Sequence, residues 1–111
     1  MERAFIETPI FMKRWSELGL TDDDLREFQA MLSKNPQKGE VIVGSGGLRK
    51  IRYAIPRTVK GKRGGVRTLY VDFMHIETIA LIDCYGKGQK DNISDEEKAE
   101  YKKLIKTFKG E

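Results

Sequence analysis

One cysteine, one histidine, one tryptophan and three prolines are all that 111 residues hold of these types. The lone Cys84 excludes an internal disulfide, and with His75 as the single imidazole there is no Cys/His set for structural zinc. No metal is expected. No apolar run approaches the roughly 20 residues that a membrane-spanning helix needs, so no membrane association is expected. The first residues carry acids and no long apolar core, unlike a secretory signal, and the expected location is cytoplasmic. Acid is nearly missing from one stretch. Residues 34–71 hold 10 Lys/Arg against the single Glu40, a net charge of +9 inside a chain whose total is only +4. Such a concentrated basic block points to a polyanion partner. Its cations interleave with apolar residues, which a disordered basic tail would lack.

Hydrophobic residues make up 39% and charged residues 34%, which suits one globular domain over residues 1–111 with a single core. Residues 4–7 read as an opening strand. Thr8-Pro9 then supplies a helix cap followed by proline at the first helical position. Phe11, Trp15 and Leu18 share a face of that helix, which Gly19 ends. Thr21 caps a second helix with Asp22, Asp23 and Asp24 at its positive dipole end and Leu25, Phe28 and Leu32 on its buried stripe. Asn35-Pro36 stops it. After a short apolar run at 41–43, three strands are expected at 48–55, 66–73 and 78–85, rich in β-branched and aromatic residues. Their short connectors favour antiparallel pairing. Ser94 with Glu97 forms a capping box for a last helix with Tyr101, Leu104, Ile105 and Phe108 on one side. The order is βααββββα: an α+β fold, a layer of helices over one mainly antiparallel sheet.

Alternation along residues 48–55 sends Ile51, Tyr53 and Ile55 one way and Lys50 and Arg52 the other. If helices cover the isoleucine face, Lys50 and Arg52 stand on the open one, joined by Arg67 from the next strand. Lys60, Lys62 and Arg63 sit in the connection between them, with Tyr70, Tyr85 and Lys87 at neighbouring strand ends. Arginine forks match phosphate oxygens bidentately and tyrosine rings stack on unpaired bases, so the mix suits single-stranded RNA. Solvent-facing cations also protect strand edges, and most double glycines such as Gly46-Gly47 and Gly64-Gly65 are turns. Tyr53 reads as core, His75 as a surface turn residue, and Asp83 as a partner for one of the cations.

The segments GGLRKIR (46–52), GKRGGVRTLY (61–70) and CYGKGQKDNIS (84–94) closely resemble the RelE/HigB family of bacterial toxins, in particular its HigB-like branch. The resemblance spans nearly the whole chain. It implies a RelE-like small ribonuclease fold and a toxin that cleaves mRNA in the ribosomal A site, without metal or cofactor, held silent by an antitoxin. A HigA-like helix-turn-helix protein is the antitoxin it implies, with mRNA and ribosomal RNA as the other partners. By the same resemblance Arg67 matches the arginine used on the scissile phosphate, and Lys87 a basic residue at the end of the last strand. Lys50 and Arg52 occupy strand positions where such toxins place cations toward the RNA. Lys60, Lys62, Arg63, Tyr70 and Lys90 are the residues expected to grip RNA. Two features depart from the family: Gly88 and Gln89 follow Lys87 where further charges are common, and the C-terminal tyrosine has no match. Tyr101 lies on an apolar helix face, leaving Tyr85 or Tyr70 as substitutes.

Cleavage by the neighbouring 2′-OH needs a proton acceptor, charge stabilisation on phosphorus and a donor to the departing 5′-oxygen. No His/Glu pair is placed to supply them. A lysine is a poor base at its ordinary pKa of about 10.4, and crowding among like charges lowers that value. Lys50 is the candidate base, Arg67 with Arg52 the charge stabilisers, and Lys87 or Tyr85 the group near the leaving oxygen. The competing readings are a non-catalytic RNA- or ribosome-binding domain, and a basic surface that serves only a protein partner.

Overall fold

The computed structural model describes residues 3–54, 65–86 and 93–110. Its elements run β1 (Ala4–Glu7), α1 (Pro9–Glu17), α2 (Asp22–Lys34), β2 (Glu40–Val41), β3 (Arg49–Tyr53), β4 (Val66–Phe73), a 3-10 turn (Met74–Ile76), β5 (Thr78–Gly86) and α3 (Asp95–Lys109). The strands form one sheet in the order β1-β5-β4-β3-β2. β2 to β5 pair antiparallel, and β1 lies parallel to β5 with Ala4 opposite Thr78. The expected α+β order and the mainly antiparallel sheet are both present.

Local chemistry starts each helix where the sequence places it. The Thr8 hydroxyl accepts from Phe11 N at 3.2 Å and donates to Ile82 O at 3.0 Å, so one side chain caps α1 and ties it to the sheet. Thr21 and Asp24 form a reciprocal capping box at α2, as Ser94 and Glu97 do at α3. Trp15, Phe28 and Leu32 from the first two helices pack with Ile51, Tyr70 and Leu81 against one face of the sheet. The expected single helical layer needs correction at this point. α3 crosses to the opposite face, where Ile105 packs with Leu69, Val71, Phe73 and Ile82. The helices expected in one layer over the sheet therefore cover both of its faces, because each face of β4 and β5 carries apolar residues that need cover.

A bulge in β5 decides what those faces present. Leu69 pairs with Asp83 but Tyr70 pairs with Leu81, so Ile82 is an extra residue in the strand. The extra residue shifts the alternation by one. Leu81 and Cys84 face α1 and α2, while Ile82 and Tyr85 face the α3 side. Cys84 is buried, and that burial, followed by the charge of Asp83, pushes its thiol pKa up to about 12.

Candidate functional site

Across β3, β4 and β5 on the α3 side, register sets three side chains in one row. Arg52 stands opposite Arg67, and Arg67 opposite Tyr85. Lys50 is two residues before Arg52 on the same face, about 6.6 Å along the strand. The sequence-based grouping of Lys50, Arg52 and Arg67 on one face thus coincides with the strand pairing. Like charges directly opposite each other on adjacent strands are destabilising. An anion lying between them would offset that repulsion.

Arg67 is half-buried, and its Nη1 is buried with no hydrogen-bond partner among the described residues. A buried donor left unmade costs about 1–3 kcal/mol, which a phosphate oxygen would offset. Arg52 is exposed, with its stem beside Gly65, where an added Cβ would lie 3.4 Å from Arg52 Cγ and Nε. A side chain there would touch Arg52 at ordinary contact distance, and the positive φ of 31° at Gly65 favours glycine. Tyr85 completes the row from below: it is 2% exposed and packs in the apolar cluster on the α3 side. Its ring forms part of the floor beside Arg67, so it is not the solvent-facing group that stacking would require.

Tyr70 requires a correction. It was expected to meet RNA, but it is fully buried on the α1/α2 face, opposite to Arg67. Its hydroxyl donates to Pro36 O at 2.9 Å and accepts from Gly39 N at 2.8 Å. Burial is the main cause that raises its pKa. Gly39 is required at that contact, because a Cβ there would come within 2.9 Å of the Tyr70 ring and of Lys50 O. Tyr70→Phe should lose about 1–2 kcal/mol of stability, read from the urea midpoint, and leave RNA cleavage at the wild-type rate. A cleavage defect at full stability would return Tyr70 to the site.

Lys60, Lys62, Arg63, Lys87 and Lys90 lie outside the described residues. Tyr53 is half-buried with its ring 5.1 Å from Phe28, as expected of a core residue, and His75 lies exposed in the 3-10 turn. Asp83 does pair with a cation, although not one from the basic block. Its carboxylate accepts from Arg14 Nη1 of α1 at 3.1 Å, from Tyr101 OH of α3 at 2.8 Å and from Cys84 N at 2.7 Å. Reading the strands alone missed this hub, since its partners come from helices on both faces. Burial raises the pKa of Tyr101, and the hydrogen bond to Asp83 raises it further. Among the described residues no three His, Cys, Asp or Glu side chains converge where a metal ion could be held. None of the described helices is long and apolar enough to cross a membrane.

A solved structure of a mutant of the E. coli toxin RelE in the free state has the same fold, with a TM-score of 0.60 at 18% identity, over 95% of this chain and 99% of that one. The family model described as the RelE toxin of the RelE / RelB toxin-antitoxin system matches residues 5–110. A match over nearly the full length, on a sheet that carries a cation row on one face, identifies the chain as a member of the RelE toxin family.

Proposed function

We propose that this chain is the toxin of a type II toxin–antitoxin pair and cleaves mRNA in the ribosomal A site by attack of a 2′-OH on the adjacent phosphate. The observation that carries the reading is the pairing of Arg52 with Arg67 on the α3 side of the sheet, with an Arg67 Nη1 that has no hydrogen-bond partner among the described residues. Two arginines paired across neighbouring strands on one face suit a phosphate that gains charge in the transition state, because donors already in place need no reorganisation as the charge develops. In this reading Arg67 binds a non-bridging oxygen and Arg52 shares the charge. Lys50, next along the same face, takes the 2′-OH proton. The 2′-oxygen forms its bond to phosphorus as the bond to the 5′-oxygen breaks, and Lys87 is the donor assigned to that leaving oxygen. Lys60, Lys62, Arg63 and Lys90 hold the flanking RNA. The partner is a HigA-like antitoxin, the site of action is the cytoplasm, and the chemistry uses no metal.

The products test it. Controlled expression should arrest growth and create new 5′ ends in ribosome-bound mRNA, with 5′-hydroxyl groups on the downstream fragments and 2′,3′-cyclic phosphates on the upstream ones. Fragments with 5′-phosphates would contradict 2′-OH attack. Growth arrest without new ends would favour a domain that binds RNA or the ribosome and does not cut.

A further inference from the structure

Helix α3 carries its contact stripe beyond its apolar residues. Glu97, Lys98, Tyr101, Leu104, Ile105 and Phe108 are buried or half-buried, while the positions between them are exposed. Ile105, 1% exposed, is the most deeply seated of them. Lys98 precedes it by two helical turns and therefore shares its side of the helix.

Two contacts give the helix its direction over the sheet. The Phe108 ring lies 5.7 Å from Phe73, which pairs with Thr78 at one end of β4. Tyr101 OH lies 2.8 Å from Asp83, which pairs with Leu69 further along. The N-terminal half of α3 thus runs toward the Arg67–Tyr85 pair, the next row on that face. Lys98 lies three residues before Tyr101, about 4.5 Å along the helix, and one row beyond Leu69 is about 6.6 Å along the strand. The sideways position follows from two neighbours. Tyr101 reaches β5, whereas Lys102 lies against the turn that leads into β3, its Cγ 3.3 Å from where a Gly46 Cβ would stand. At about 100° per residue, Lys98 points between these two directions, over β4. Its stem can cover apolar surface while its ammonium reaches out. Among the described residues it has no ion pair.

We infer that Lys98 is an RNA-binding residue of the cation row, contacting from α3 a phosphate next to the one held by Arg52 and Arg67. The inference rests on the ribonuclease reading above. It is tested with purified protein and mRNA-programmed ribosomes, using Lys98→Ala, Lys98→Arg, Lys103→Ala and Arg67→Ala. Lys103 is exposed on the outer side of α3, so its loss is the control for net charge. Lys98→Ala should lower kcat/KM about 10-fold, mainly through KM, and reduce the slope of log kcat/KM against log salt by about one. Lys98→Arg should restore both, and Lys103→Ala should change kcat/KM less than about two-fold. The melting temperature of Lys98→Ala should stay at the wild-type value. If Lys98→Ala matches Lys103→Ala, or if its defect comes with a lowered melting temperature and no rescue by arginine, the inference is overturned. Wild-type cleavage by Arg67→Ala would instead overturn the reading on which it rests.

Discussion

Asp83→Ala should cost the fold about 3–5 kcal/mol, the largest loss of stability expected from any single polar residue described. The carboxylate is 2% exposed and serves three donors at once, from α1, from α3 and from its own strand. Truncation leaves the buried Cys84 N–H without that acceptor, at about 1–3 kcal/mol, and the half-buried Tyr101 OH without its partner at the lower end of the same range. Arg14 adds less, because its side chain is 40% exposed and can turn to water. Against the total of about 5–15 kcal/mol typical of a small domain, this is a large share. Asp83→Asn keeps a carbonyl oxygen for one of the two donors and should lose roughly half as much. Urea titration decides: a loss under about 1 kcal/mol for Asp83→Ala would show that the hub does not hold α1 and α3 to the sheet.

Arg67→Ala should lower the cleavage rate by about 10²–10³, the usual consequence of removing one donor to a developing oxyanion. Its effect on stability should run the other way. Removing Arg67 relieves a like-charge pair with Arg52, a contact of about 0.2–1 kcal/mol, and removes a buried nitrogen that has no partner among the described residues. A variant that is folded at least as well as wild type and yet inactive separates a functional residue from a structural one. Arg67→Lys should recover part of the rate, since an ammonium supplies charge without the planar fork that holds two oxygens.

Much of this arrangement is legible from local patterns. Period-2 alternation alone separates Ile51 and Tyr53 from Lys50 and Arg52, and Thr8-Pro9 and Ser94 with Glu97 mark two helix starts that the structure retains. The same count within β4 separates Tyr70 from Arg67 by three residues, which puts them on opposite faces and would have kept Tyr70 out of the RNA site. What is not legible is non-local. A straight count along β5 from Ile79 and Leu81 would send Tyr85 to the face of Tyr70, and only the extra residue at Ile82 turns it toward Arg67. Nothing in the residues around Ile82 announces the bulge, because it is set by pairing with β4. The choice of face by α3 is likewise decided by which side of the sheet remains uncovered after α1 and α2 have packed. Lys98 lay within reach of a helical count, one turn before Tyr101, but its meaning depends on the face that α3 covers.

Single-turnover cleavage of mRNA on programmed ribosomes, wild type beside Arg67→Ala, tests the central claim most directly. The Arg52–Arg67 pair as the phosphate site predicts a rate about 10²–10³ lower for the variant, with an unchanged or raised urea midpoint. Wild-type cleavage by a folded Arg67→Ala protein would contradict it.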